Sequence, residues 1–337
     1  MQARASITDV ARLAGVSTGT VSNVLNHADR VRPATLAKVT RAIEALDYQP
    51  NANARTLAAG SSRLTGLILP DLGNSFFVDV ARGAEAAAEE AGHVLMIAHS
   101  DGRLEREQRY LKAFDEERAS GVLLGLNDDD HFTALLGSLG RRLPTVSVNL
   151  SVPSALSCSV SADNEHGAYL ATCHLAGLGR QRLAFVGGPL GLRPIRHRAA
   201  GFDRAVKEHA IEHVRTVDPA GVSRADGWSA GQELADDARA GRIDGIVAST
   251  DLLAVGVVQA LQMAGVAIPG DIAIVGYDNN QATWNSPVAI TTVQQPGEAI
   301  GRVAMRLLLK EIADGSTHAH ETAILEPTLV VRASTVG

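Results

Sequence analysis

Cysteine, tryptophan and long apolar runs are what this chain of 337 residues has least of. Cys158 and Cys173 are its only cysteines, so a disulfide-stapled scaffold is excluded. Both are read as small buried hydrophobes in a reducing compartment. No stretch reaches the roughly 18 consecutive apolar residues of a membrane span. Arg4 has no apolar run behind it, so no secretory leader is visible and the expected location is the cytoplasm. Catalytic and metal motifs are equally scarce. Gly187-Gly188-Pro189-Leu190-Gly191 lacks the G-x-G-x-x-G spacing and puts proline where a phosphate loop needs N–H donors. His209 and His213, flanked by Glu208 and Glu212, never form H-E-x-x-H and read as a solvated helix end. Asp128-Asp129-Asp130-His131 reads as acids at a helix start, where the dipole favours them. Neither an enzyme nor a resident cofactor or metal is expected.

What is present is an ordinary globular composition, 45% apolar and 20% charged, spread over enough residues for two or three domains. Charge is unevenly placed. Residues 1–63 hold eight basic against four acidic side chains, a net of +4 in a chain of −6, which leaves −10 for the remainder. A basic head on an acidic body suits a local polyanion-binding module.

Within that head, Ile7, Val10, Ala11 and Ala14 fall at helical spacing. Gly15-Val16-Ser17 interrupts them, with Ser17 placed to cap the next helix. Val21, Val24 and Leu25 mark the buried side of a second short helix. Two short helices about a glycine turn match a helix-turn-helix, which lays its second helix in the major groove. Pro33 opens a third helix carrying Leu36, Val39, Ile43 and Leu46. An alanine-rich, helix-permissive stretch from Asn51 to Ala59 follows, with Leu57 its one bulky residue, and Gly60-Ser61-Ser62 is a flexible joint. Composition alone makes Leu57 a packing residue, although a lone apolar side chain also suits a minor-groove wedge.

From Leu64 onward, continuous apolar strands such as LTGLIL, GVLLGL, LAFVG, DGIVAS and IAIVGY alternate with helical stretches. That pattern predicts parallel sheets covered on both faces, in two similar doubly wound α/β lobes. Ligands of such sheets bind beyond the carboxyl ends of the strands. There stand Asp71, Asn74, Phe76, Phe77 and Asn149 in the first lobe, and Arg193 to Arg198, Thr250-Asp251 and Asp278 in the second, with Trp228 and Trp284 expected on loops. Carboxylates, amides, an arginine and flat aromatic faces together suit a polyhydroxylated ligand.

The segments ITDVARLAGVSTGTVSNVLN, YQPNANARTLAAG, PDLGNSFF, VGGP, RHRAAGF, TDLLA and VGYDN make the chain resemble the lactose/galactose-repressor family of bacterial transcription regulators. The resemblance spans Ile7 to about Arg332. It implies an all-α helix-turn-helix head (1–49), a hinge helix and linker (50–62), and a periplasmic-binding-protein-like α/β sensor (63–337). Lobe 1 would take about 63–161 and 292–321, and lobe 2 about 162–291 and 322–337. The implied protein is a homodimeric repressor of carbohydrate-metabolism genes that binds double-stranded operator DNA and is switched by a sugar-like effector.

Residue by residue, the resemblance places Thr18, Gly19 and Asn23 at base-reading positions. Thr8, Thr20, Ser22 and Asn26 match phosphate or sugar contacts, Arg32 departs from a position where a capping serine is frequent and is expected to touch phosphate instead, and Ser17 and Asn53 complete the head and hinge set. Arg55 and Leu57 match the hinge helix, Leu57 as the wedge. Gly19 has no side chain to read a base, and Asn23 would favour adenine, so the operator sequence does not transfer. In the sensor the implied ligand set is Asp71, Asn74, Phe76, Phe77, Asn149, Arg193, Arg198, Trp228, Thr250, Asp278 and Gln294. The rival reading is a periplasmic-type solute-binding protein with no regulatory role, against which the basic head and the missing leader count.

Overall fold

Residues 5–48, 62–139, 143–284 and 286–336 are described by the computed structural model of the chain, which divides into a unit ending at Ser62 and a unit beginning at Arg63. In the first unit, Ser6 and Asp9 form a reciprocal capping box that starts α1 (Ile7–Ala14). Gly15 ends it at φ 65°, a left-handed conformation that side chains with a Cβ resist. Ser17 caps α2 (Thr18–Asn26), its hydroxyl accepting the Thr20 N–H at 3.1 Å, and Pro33 opens α3 (Pro33–Ala45). The three helices bury Val10, Ala11, Val21, Val24, Val39 and Ala42 against one another. The predicted hinge residues Asn53, Arg55 and Leu57 lie outside the described residues.

The second unit contains two six-stranded sheets. Lobe 1 is built on β1 (Leu64–Leu69), β2 (Val94–His99), β3 (Gly121–Gly125), β4 (Thr145–Val148), β5 (Cys158–Ala162) and β11 (Thr322–Leu325). Their order is β11-β5-β4-β3-β1-β2, parallel throughout. Its helices are α4 (Ser75–Glu90), α5 (Leu104–Glu116), α6 (Asp129–Leu139) and α11 (Gly297–Asp314). Lobe 2 is built on β6 (Arg182–Val186), β7 (Glu212–Val217), β8 (Gly245–Ala248), β9 (Ala273–Tyr277), β10 (Thr291–Gln294) and β12 (Thr328–Val330). The order is β12-β10-β9-β8-β6-β7, with only β12 antiparallel. Helices α7 (Asn164–Gly177), α8 (Arg193–Glu208), α9 (Arg224–Arg239) and α10 (Asp251–Met263) flank it. Strands β3, β4, β5, β8 and β9 are buried along their whole length, as expected of strands covered on both faces.

The lobe boundaries differ from the expectation. Residues 291–294 belong to the lobe 2 sheet and 322–325 to lobe 1, so the chain crosses between lobes near Asp163, near Gln295 and between Leu325 and Thr328. Helices α4 and α11 close lobe 1 through backbone contact. A Cβ at Gly83 would lie 1.9 Å from the Glu298 carbonyl, and one at Gly301 equally close to that of Val80. Both cysteines are free thiols; Cys158 is buried as expected, whereas Cys173 is only half-buried. Among the described residues no helix is long and apolar enough to cross a membrane.

Candidate ligand cleft and DNA-reading head

The carboxyl ends of the strands in both lobes face a shared cavity of about 550 Å³, within the size range of small-molecule sites. Lobe 1 lines it with Asp71, Asn74, Phe76, Phe77, Asn127 and Asn149; lobe 2 with Leu192, Ile195, Arg198, Asp226, Thr250 and Asp278. Gln295, in the middle crossing, joins them.

Arg198 is the buried centre of the lobe 2 wall. It projects from α8, whose helical spacing also turns Ile195 and Phe202 inward. Its Nε donates to Asn164 Oδ1 at 2.8 Å and one terminal nitrogen to the Ser249 carbonyl at 2.5 Å. The other faces Asp278 Oδ1 at 3.2 Å, and the guanidinium lies 3.7 Å over the Tyr277 ring. Asp278 follows β9 at φ 107° and also accepts from Gln295 Nε2 and, across the cleft, from Asn74 Nδ2, each at 2.7 Å. Burial pushes the Asp278 carboxyl above its ordinary value, while Arg198 and the two amides oppose that shift. Behind it, Asp251 is wholly buried, accepting from the Asn280 N–H and the Thr292 hydroxyl. Burial and the neighbouring Asp278 push it far up.

On the lobe 1 wall, Asn74 caps α4 through Oδ1, which accepts the Phe76 N–H at 3.0 Å. That cap holds the Phe76 and Phe77 rings edge to face at 5.0 Å. Asn149 stands just past β4 at φ 68°, a conformation asparagine tolerates better than most residues. Its Nδ2 donates to Asn127 Oδ1 at 2.6 Å. Asn149 Oδ1 and Gln295 Oε1 are buried with no hydrogen-bond partner. Two orphan acceptors in one cavity call for a ligand bearing O–H or N–H donors.

Several expected residues do other work. Gln294 is exposed on the outer face of β10, while Gln295, one position on, turns inward; a single step reverses the face in extended chain. Trp228 lies in helix α9 and not on a loop, outside the cavity lining; the start of that helix contributes Asp226 instead. Trp284 is largely exposed after a 3-10 turn. Arg193 is also outside the lining and bridges the lobes. Its backbone N–H donates to the Asn127 carbonyl at 2.9 Å, and its guanidinium meets Asp129 and the Ser151 carbonyl. Arg196 reaches the same Asp129 at 2.8 Å. Thr250 and Asp71 line the cavity but are also structural. Thr250 caps α10, and Asp71 accepts the Gly73 N–H at 2.6 Å to close a turn. Gln295, Asn127, Asn164 and Asp226 were missed; no local pattern distinguishes them from other polar loop residues.

In the head, Thr18, Gly19 and Asn23 are exposed on α2 opposite buried Val21 and Val24. Thr8 and Arg32 are exposed, and Thr20 and Ser22 are half-buried. The Ser17 hydroxyl is occupied by the cap and by Thr20 Oγ1 at 2.9 Å. Arg32 precedes α3 without a side-chain capping bond. Asn26 ends α2, and its side chain lies outside the described set.

A helix-turn-helix unit in one chain with a two-lobed, cleft-bearing α/β unit defines a DNA-binding regulator with a periplasmic-binding-protein-like body. Comparisons with known proteins agree. Residues 6–51 match the family described as bacterial regulatory proteins, lacI family, and residues 172–335 match the periplasmic binding protein-like domain. The chain is 33% identical over 336 residues to the HTH-type transcriptional repressor PurR of Photobacterium profundum, covering 98% of each chain. It is 34% identical over 333 residues to the ribose operon repressor of Halalkalibacterium halodurans, covering 98% of this chain and 97% of the relative. The lac repressor dimer bound to operator and the anti-inducer ONPF has the same fold, with a TM-score of 0.86 at 24% identity over 99% of this chain and 100% of that one. The chain belongs to the LacI family. It is a DNA-binding transcriptional repressor and not an enzyme.

Proposed function

We propose that the cleft binds a sugar or sugar derivative, and that its occupancy sets the affinity of paired heads for a two-fold operator. The observation that carries this is the convergence of buried Arg198 and Asp278 with Asn74, Asn149 and Gln295, two of whose oxygens are unpartnered. Such a set offers both donors and acceptors to a hydroxylated ring, and Phe76 and Phe77 offer apolar faces for its C–H groups. The relative named for the ribose operon supports the sugar class. A ligand changes DNA affinity only by preferring one arrangement of the lobes over another. The bridges Asn74–Asp278 and Asp129–Arg193 are the contacts that such a preference would make or break.

Thr18, Gly19 and Asn23 are assigned to base edges, Thr8, Thr20, Ser22, Asn26 and Arg32 to the phosphate backbone, and Asn53, Arg55 and Leu57 to the hinge, with Leu57 its wedge. Exposed Val94, Met96 and Ile97 on edge strand β2 support a homodimer that covers them. The test is a thermal-shift panel of pentoses, hexoses, disaccharides and flat N–H-bearing heterocycles, followed by gel shift on the upstream region of the protein's own gene with each hit. A sugar hit that alters the shift, and loses that effect at the same sugar concentration in Asn149→Gly, supports the reading. A response restricted to heterocycles would overturn the sugar class, and DNA binding that survives deletion of residues 1–60 would overturn the head assignment.

A further inference from the structure

Outside the cleft, four side chains with metal-ligating chemistry converge at the opposite end of the lobe 1 sheet. Cys158 is the first residue of β5, Glu311 lies in the last turn of α11, and His318 and His320 occupy the connection from α11 to β11. Their ligand atoms all lie within 4.8 Å of one another. Cys158 Sγ is 3.2 Å from His318 Nε2 and 3.8 Å from His320 Nδ1, and the two imidazoles stand edge to face at 5.3 Å. None of the four lines the cleft.

The surroundings have the form of a second shell. His318 Nδ1 faces Asp314 Oδ2 at 3.2 Å, an arrangement that fixes the ring and leaves Nε2 free to ligate. The Glu321 N–H donates to Cys158 Sγ at 3.2 Å, which fixes the position of the sulfur. Glu311 Oε2 is buried beside the cluster with no hydrogen-bond partner, a costly state unless something fills its lone pairs.

We propose that Cys158, Glu311, His318 and His320 bind one divalent ion of the zinc type. A thiolate and two imidazoles exclude the oxygen-only chemistry of calcium and magnesium and suit a borderline-soft ion. With Zn–S of about 2.3 Å and Zn–N of about 2.0–2.1 Å, sulfur and nitrogen in a tetrahedron stand about 3.5 Å apart. The two observed separations, 3.2 and 3.8 Å, straddle that value. The ion would tie the start of β5, the end of α11 and the approach to β11 into one clasp, on the stretch between the second and third lobe crossings. Cys158 lies 160 residues before His318 in sequence, so no short motif announces the set.

The experiment uses the full-length chain without a histidine tag, stripped by chelator and titrated with Co²⁺ and then Zn²⁺. One Co²⁺ per chain should give a thiolate charge-transfer band with tetrahedral visible absorption, and Zn²⁺ should erase both. Cys158→Ser and His320→Ala should each cost more than about 100-fold in Zn²⁺ affinity, and Asp314→Asn about 10–100-fold. Cys173→Ser should leave binding intact, although Cys173 pairs with His209 at 3.2 Å on the surface. If Cys158→Ser does not fold, His320→Ala on the half-exposed connection carries the comparison. Zn²⁺ should raise the unfolding temperature of the native chain and not of His320→Ala. Absence of the charge-transfer band, unchanged affinity in both ligand variants, or loss of binding in Cys173→Ser would each overturn the site.

Discussion

Lobe 2 brings buried charge to the cleft, whereas lobe 1 brings amides and aromatic rings. The sheets are built alike, but Arg198 and Asp278 sit buried on one side, and Asn74, Asn127, Asn149, Phe76 and Phe77 on the other. In lobe 2 the charges answer each other, and each of the three guanidinium nitrogens of Arg198 has a protein partner. In lobe 1 the Asn149 oxygen has none. The difference suggests a division of labour. Lobe 2 is a rigid, neutralised platform whose failure would be structural, and lobe 1 is the adjustable face whose failure would be felt by the ligand.

The largest effect should come from breaking the platform. Arg198→Ala strands Asp278 in a buried site, and removing one partner of a buried pair costs about 3–5 kcal/mol. Chemical denaturation of the full chain should show that loss in the transition of residues 63–337. A smaller effect should follow from Asn149→Ala, which forces alanine into a left-handed conformation at about 1–2 kcal/mol and deletes the ligand-facing amide. Asn149→Gly separates the two contributions: stability should recover while ligand affinity stays low. If Asn149→Gly binds ligand as tightly as the native chain, lobe 1 is not the ligand-sensing face.

Asp129→Ala removes the bridge to Arg193 and Arg196. Such partly exposed pairs contribute about 0–1 kcal/mol to stability, so the denaturation midpoint should barely move. Calorimetric ligand affinity should fall, because the lobes lose a contact that holds them together. The faintest expected effect is on pH dependence. Burial holds the His174 imidazole below its ordinary value, with Nε2 2.9 Å from the Thr335 hydroxyl. The unfolded chain therefore protonates this histidine at higher pH than the folded chain. The stability from the neutral ring is present above about pH 6.5 and is lost as pH falls through the depressed folded value. His174→Gln should flatten the acid limb of a stability–pH curve without abolishing it, since burial also depresses His93 and His197.

The head was legible in sequence because its signals are local. Gly15, Ser17 and Pro33 mark helix ends within a few residues of the apolar positions they serve. The doubly wound body was legible because buried parallel strands are continuous apolar runs. What could not be read depends on contacts made at long range. Arg193 belongs to a ligand-like cluster in sequence, yet it spans the lobes because Asp129 and Ser151 come to meet it. Gln294 and Gln295 differ only in which way the chain faces at a crossing. Of Asp128 to Asp130, read as helix-start acids, Asp129 and Asp130 do begin α6 with Asp128 just before it, but Asp129 is also the lobe bridge. Cys158 reads as a buried hydrophobe until the fold sets His318 and His320 beside it.

Occupancy of the cleft should govern the head's grip on DNA. The most direct measurement is fluorescence anisotropy of operator DNA titrated with the full-length chain, with and without a saturating cleft ligand, in native protein and in Asn149→Gly. Operator affinity should change by about 5–150-fold in the native chain, and in Asn149→Gly by the same factor only at much higher ligand concentration. Identical operator affinity with the cleft measurably empty and measurably filled would contradict that control.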